Sequence, residues 1–136
     1  MGNTFSINKI NFEKMQNFIS DDNNCIIINT LNSNLQECLI YNTTTIDKET
    51  ELLNNLINNN KHIQIIIYGA NACDDGVLKK YNQLYALGFN NLYIYPGGLF
   101  EWLLLQDIYG DDSFKTTSKE IDILKYKNCE EQLLLH

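Results

Sequence analysis

The residue best placed to do chemistry is Cys73, inside the stretch Gly69-Ala70-Asn71-Ala72-Cys73-Asp74-Asp75-Gly76. A cysteine at such a position works as a thiolate nucleophile, and a low thiol pKa needs nearby positive charge or a helix N-terminus. A helix is expected to start just after it, but Asp74 and Asp75 adjoin the thiol and oppose its ionisation. The ten Lys and Arg positions are all lysine, so no guanidinium fork exists to hold an oxyanion such as sulfate or phosphate by two parallel hydrogen bonds. With two aspartates and no lysine between Gly69 and Gly76, the local field repels such anions. What remains for chemistry is the run of backbone N–H groups from Gly69 to Gly76, a candidate anion cradle. The competing reading of Cys73 is a small residue filling a tight turn.

The elements that must position this loop follow from patterning. Ile63 to Tyr68 is a continuous apolar, β-branched run of strand length, suited to a parallel strand buried on both faces. Either Asp74 or Asp75 can cap the next helix, whose Val77, Leu78, Tyr81, Leu84 and Tyr85 recur at helical spacing, and Gly88 is placed to end it. Strand, loop and helix in that order put the loop at the carboxyl edge of a parallel sheet, where ligands and catalytic groups gather. Upstream, 11–19 reads as a short amphipathic helix on Phe12, Met15, Phe18 and Ile19, and Leu52, Leu53, Leu56 and Ile57 mark the face of a second.

The ordered set "IIIYG", loop, helix, Leu87-Gly88-Phe89, "NNLYIY", Gly97-Gly98 and Trp102 resembles the second half of rhodanese-like domains. Most of the chain can be fitted to the same pattern. "INKI" and "NFEKMQNFI" correspond to an opening strand and helix, "CIIINT" to a second strand and "ECLI" to a short third. The resemblance implies an α/β fold, one rhodanese-like domain over 1–136 with a mostly parallel five-stranded sheet flanked by helices on both faces. It also implies a sulfurtransferase whose catalytic cysteine is the first loop residue. Here that position is Gly69, and Asn29 and Thr30 stand where the family usually has an acid and an arginine. The related phosphatase arrangement, Cys followed by five residues and Arg, is excluded because the chain has no arginine.

At 136 residues the length is that of one domain with a substantial core. A net charge of -7 argues against nucleic acid as a partner, which would need a basic face. Cys25, Cys38, Cys73 and Cys129 show no regular spacing, and with no signal peptide they read as reduced thiols of a cytoplasmic protein. Heavy use of Asn and Ile with no Arg points to an A+T-rich genome, such as that of a protist or a large DNA virus, in which case a virion is a further location. Neither His62 nor His136 stands near another ligand type in sequence, so no metal and no cofactor is expected. No apolar run reaches the roughly 18 residues of a membrane span. Gly2 and Ser6 have the spacing of an N-myristoylation signal, though no polybasic patch supports it.

A second concentration of apolar residues follows Gly97-Gly98. Leu99, Phe100, Trp102, Leu103, Leu104 and Leu105 make one helix apolar over more than a single face. Such a helix wedges between the sheet and the C-terminal segment; the alternative is a partner surface on Phe100, Trp102 and Leu105, for another protein or a second copy of the chain. Thr117 and Glu120 have capping-box spacing ahead of Ile121 and Leu124, which predicts a further helix, and "LLLH" is apolar enough to dock on the domain or on a neighbour. The residues together favour a catalytically silent rhodanese-like module that binds or scaffolds a protein. The alternative is a sulfurtransferase carrying a persulfide on Cys73, stabilised by the N–H groups of the loop.

Overall fold

The computed structural model describes residues 7–20 and 25–127. Among the described residues seven regular elements follow one another: α1 (Phe12–Ser20), β1 (Cys25–Asn29), α2 (Ile46–Asn59), β2 (Gln64–Tyr68), α3 (Asp75–Ala86), β3 (Leu92–Ile94) and α4 (Gly98–Tyr109). Short 3-10 turns occupy Ser33–Leu35 and Ile123–Tyr126. The three strands pair in parallel in the order β1-β2-β3, with Ile27 opposite Ile66 and Ile66 opposite Tyr93.

The sheet has three strands where five were expected. Its two outer positions are single bridges. Beside β3, the "INKI" segment makes one parallel bridge, Lys9 to Ile94, with Ile94 N–H donating to Asn8 O and Ile10 N–H to Ile94 O. On the far side, Thr43 bridges Ile27 in parallel and Ile40 bridges Thr116 antiparallel. Asn42, at a φ of 72°, turns the chain between Ile40 and Thr43, so the bridge to β1 falls on Thr43, just past "ECLI", and no ladder forms there.

Period-two alternation sends successive side chains to opposite faces, and here both faces are covered. Ile27, Ile66 and Tyr68 pack on one side with Met15 and Phe18 of α1, Trp102 and Leu103 of α4, and Tyr126. Ile28, Ile65, Ile67, Leu92 and Ile94 pack on the other with Leu53 of α2, Val77, Tyr81 and Leu84 of α3, and Phe89. Helices therefore flank the sheet on both faces as expected, α1 and α4 against α2 and α3. Glu49 of α2, mostly buried, is held by Lys80 of α3 at 2.6 Å, which ties the two helices of one face together.

The segment after Gly110 corrects a second expectation. Thr117 and Glu120 do not cap a helix. Thr117 Oγ1 donates to Glu37 O, its N–H to Leu39 O, and Glu120 accepts from Asp122 N–H, so the segment follows the "ECLI" edge and closes only as the 3-10 turn at 123–126. Hydrogen bonds to residues some 80 positions away outcompete a local cap that had too few apolar positions behind it. Among the described residues no helix is long and apolar enough to cross a membrane. Gly2, Ser6, Cys129 and the "LLLH" segment lie outside the described residues.

Candidate functional site

β2 delivers the chain into the loop at the sheet's carboxyl edge, and α3 leaves it one turn later. The side chain at the centre of that loop is Asp74. It is the N-cap of α3, with Oδ1 accepting from Gly76 N–H at 2.9 Å. The other oxygen, Oδ2, accepts from Ala70 N–H at 3.1 Å and from the Thr30 hydroxyl at 3.1 Å. An anion thus sits on the N–H groups of Ala70 and Gly76, beside the positive end of α3, and it belongs to the protein itself.

Gly69 is buried and makes room for this carboxylate. A methyl group built on Gly69 would lie 2.6 Å from Asp74 Cγ, closer than any side chain tolerates. The backbone of Gly69 has an ordinary φ, so it is contact and not strain that fixes glycine here. Its carbonyl and that of Ala70 accept from Leu99 and Phe100 N–H, each at 2.9 Å, which satisfies orphan donors at the start of α4. Gly98, at a φ of 67°, allows this docking, because a methyl there would meet Gly69 O at 2.6 Å. Pro96-Gly97 forms the turn, with Gly98 N–H closing on Tyr95 O.

The rest of the loop is organised by Asn71. Its Oδ1 accepts from Cys73 N–H at 2.9 Å, and its Nδ2 donates to Tyr126 O at 2.8 Å. Ala72, Cys73 and Asp75 are exposed. The amide of Cys73 thus bonds to a side chain, and those of Ala70 and Gly76 to Asp74. Among the described residues no group of three His, Cys, Asp or Glu side chains converges to hold a metal ion.

At the two positions where an acid and an arginine were looked for, Asn29 is buried and exchanges hydrogen bonds with Gln36, and Thr30 bonds to Asp74. Thr30 and Asn71 are the site residues whose roles sequence reasoning missed. Thr30 lies 44 residues from Asp74 and gave no signal beyond standing at a strand end. Beside the loop lies a cleft of about 230 Å³, walled by Ile7, Val77, Leu78, Ile94 and Pro96, with Lys9 and Asp74 at its polar rim.

This arrangement can be set beside solved structures. A solution structure of the rhodanese-like domain of the Alr3790 protein from Anabaena sp. superposes with a TM-score of 0.56 at 18% identity, over 74% of this chain and 76% of that one. The chain has a rhodanese-like fold. A yeast protein tyrosine phosphatase of the rhodanese family matches at a TM-score of 0.61 and 14% identity, over 88% of this chain and 99% of its own. A single-domain sulfurtransferase of Saccharomyces cerevisiae matches at a TM-score of 0.53 and 15% identity, over 82% of this chain and 98% of its own. No family model and no curated protein matches the sequence. In this chain Gly69 is the first residue of the loop between β2 and α3.

A partner surface on Phe100, Trp102 and Leu105 is the alternative reading of α4. Trp102 is 0% exposed; its Nε1 donates to Lys115 O at 3.0 Å and its ring stacks edge-on against Phe114 and Tyr95. An indole whose one donor is satisfied internally belongs to the core. Phe100 and Leu105 are partly buried against the same core, and the exposed apolar residues of α4 are Leu104, Ile108 and Tyr109. The helix is wedged between the sheet and the segment 111–126, the first of the two readings.

Proposed function

We propose that this rhodanese-like domain is catalytically silent and works as a protein-recognition module through the loop edge of its sheet. The observation that carries the reading is the Asp74 carboxylate, bonded to Ala70 N–H, Gly76 N–H and Thr30. A loop that activates a thiolate or grips an oxyanion presents its N–H groups to that anion. Here two of them already serve an internal carboxylate, and a sulfur anion competing for them would meet a like charge. The absence of arginine and of a side chain at Gly69 argues the same way.

The alternative sulfurtransferase reading rests on Cys73, which is exposed in the loop. The two readings separate in one experiment. The protein is incubated with thiosulfate and a thiol acceptor, and Cys73 is examined by intact-protein and peptide mass spectrometry for a 32 Da adduct, about the mass of one sulfur atom. No adduct above that of Cys73→Ser, with no sulfite formed, is the expected result. A stoichiometric adduct with turnover, lost in Cys73→Ser, overturns the silent reading.

A further inference from the structure

We propose that the outer face of α4 docks a basic amphipathic helix of another protein, whose apolar side chains lie on Leu104, Ile108 and Tyr109 and whose lysines or arginines meet Asp107, Asp111 and Asp112. This surface is separate from the loop edge and goes beyond the reading of that edge. α4 meets the loop at its first turn, through Leu99 and Phe100 N–H, and Ile108 lies nine residues past Leu99, about 14 Å along the axis.

The first argument is an apolar strip that the described chain leaves open. Leu99, Trp102, Leu103 and Gln106 turn one side of α4 to the core. Leu104 and Ile108, one turn apart, stand on the other side, and Ile108 and Tyr109 are 68% and 66% exposed. Tyr109 is steadied by its ring contact with Phe114, at 6.2 Å between centroids. The 3-10 turn at 123–126 packs on α4 and adds the exposed Leu124 beside it. Single apolar residues on a surface are ordinary, but a cluster of them marks a contact. Side chains four apart form the ridge with which a second helix interdigitates.

The second argument is charge. Between Lys80 and Lys115 the chain has no basic residue, so α4 has no cation of its own. Asp107 stands in its last turn and Asp111 and Asp112 follow Gly110, all exposed, at the helix end where the backbone dipole is negative and cations are favoured. Among the described residues none of the three is in an ion pair. Lys125 is held by Glu120, and Lys115 lies over the Tyr41 ring, 6.0 Å from its centroid. Lys119 lines a shallow depression with Asp111 and Asp112 without pairing to either. Negative charge gathered at a negative pole is relieved by a cation, and a basic helix brings cations together with apolar contacts. A second copy of α4 offers no opposite charge, which favours a different protein as the occupant.

The probe is a fluorescein-labelled synthetic peptide of about five helical turns, with leucine at i, i+3, i+4 and i+7 and lysine at the other positions. Fluorescence anisotropy should show saturable binding to the full chain that weakens as salt rises from about 50 to about 500 mM. A peptide with glutamate in place of lysine should not bind. Leu104→Asp/Ile108→Asp should weaken binding about tenfold through lost apolar contact. Asp107→Asn/Asp111→Asn/Asp112→Asn should weaken it severalfold and flatten the salt dependence. Leu104→Asp/Ile108→Asp also makes the chain more acidic, so equal or tighter binding by that variant would reduce the effect to diffuse charge attraction and overturn the proposal. Absence of binding by the wild type would overturn it too. So would a wild-type dimer in sedimentation velocity that Leu104→Asp/Ile108→Asp disperses, since that assigns the face to a second copy.

Discussion

Gly69 and Asp74 compete for one volume, and a double-mutant cycle measures that competition. Asp74→Ala removes the N-cap of α3 and the acceptors of Ala70 N–H, Gly76 N–H and Thr30 Oγ1. Loss of an N-cap costs about 1 kcal/mol, and hydrogen bonds to a charged group about 1.5–3 each where buried. Asp74 is only partly buried and water can reclaim some donors, so about 2–3 kcal/mol is expected in total. Gly69→Ala leaves Asp74 in place but sets a methyl 2.6 Å from its Cγ, which expels the carboxylate from the loop. The same bonds are lost, so its cost is also about 2–3 kcal/mol. In the double variant the methyl has nothing left to expel, and the loss stays near that of one single variant, a coupling of about 2 kcal/mol. Urea unfolding followed by far-UV circular dichroism reads this directly. With a slope of about 2 kcal/mol/M, each single variant and the double shift the midpoint down by about 1 M. Additivity within about 0.5 kcal/mol, or a Gly69→Ala protein as stable as wild type, would refute the placement of the carboxylate.

Three further outcomes follow. Gly98→Ala should cost at least about 2 kcal/mol in the same unfolding assay, because an L residue is disfavoured at φ 67° and its methyl would also push Gly69 O away from Leu99 N–H. Trp102→Ala should cost about 3–5 kcal/mol, read as a lowered melting temperature, since it empties the centre of the α4 contact and orphans Lys115 O. Stability should hold to about pH 9 and fall above it. Burial raises the Cys38 thiol and the Tyr68 hydroxyl above their ordinary values, and burial followed by the hydrogen bond to Glu101 raises Tyr95. These groups stay protonated when folded and ionise first when unfolded. The unfolded chain then holds fewer protons, and stability drops by up to about 1.4 kcal/mol per pH unit for each group. Thermal melts from pH 7 to 11 test this, and a flat profile above pH 10 would contradict it.

The fold was legible where the signal is local. The run 63–68 had to be a buried strand. Gly88 had to end α3, and it does so with Phe89 N–H on Leu84 O and Gly88 N–H on Tyr85 O. A cap at Asp74 or Asp75 was legible for the same reason, and Asp74 takes it by accepting from Gly76 N–H. Where the pattern was non-local, sequence reasoning went astray. It extended the outer segments into strands that are only bridges, and it read a cap at Thr117 whose hydroxyl turns instead to Glu37.

The sequence by itself determined that the loop has no arginine, no side chain at Gly69 and two aspartates, because these are matters of composition and order. Only tertiary structure decided which aspartate serves as the loop's anion. Oδ2 of Asp74 reaches Thr30, 44 positions away in sequence, because β1 and β2 are neighbours in the sheet. Tertiary structure likewise buried Trp102, since the atoms that enclose it, Phe114 and Lys115 O, arrive on a segment that crosses α4 after Gly110. Hydrophobic periodicity records that a face is apolar, and packing determines which element covers it.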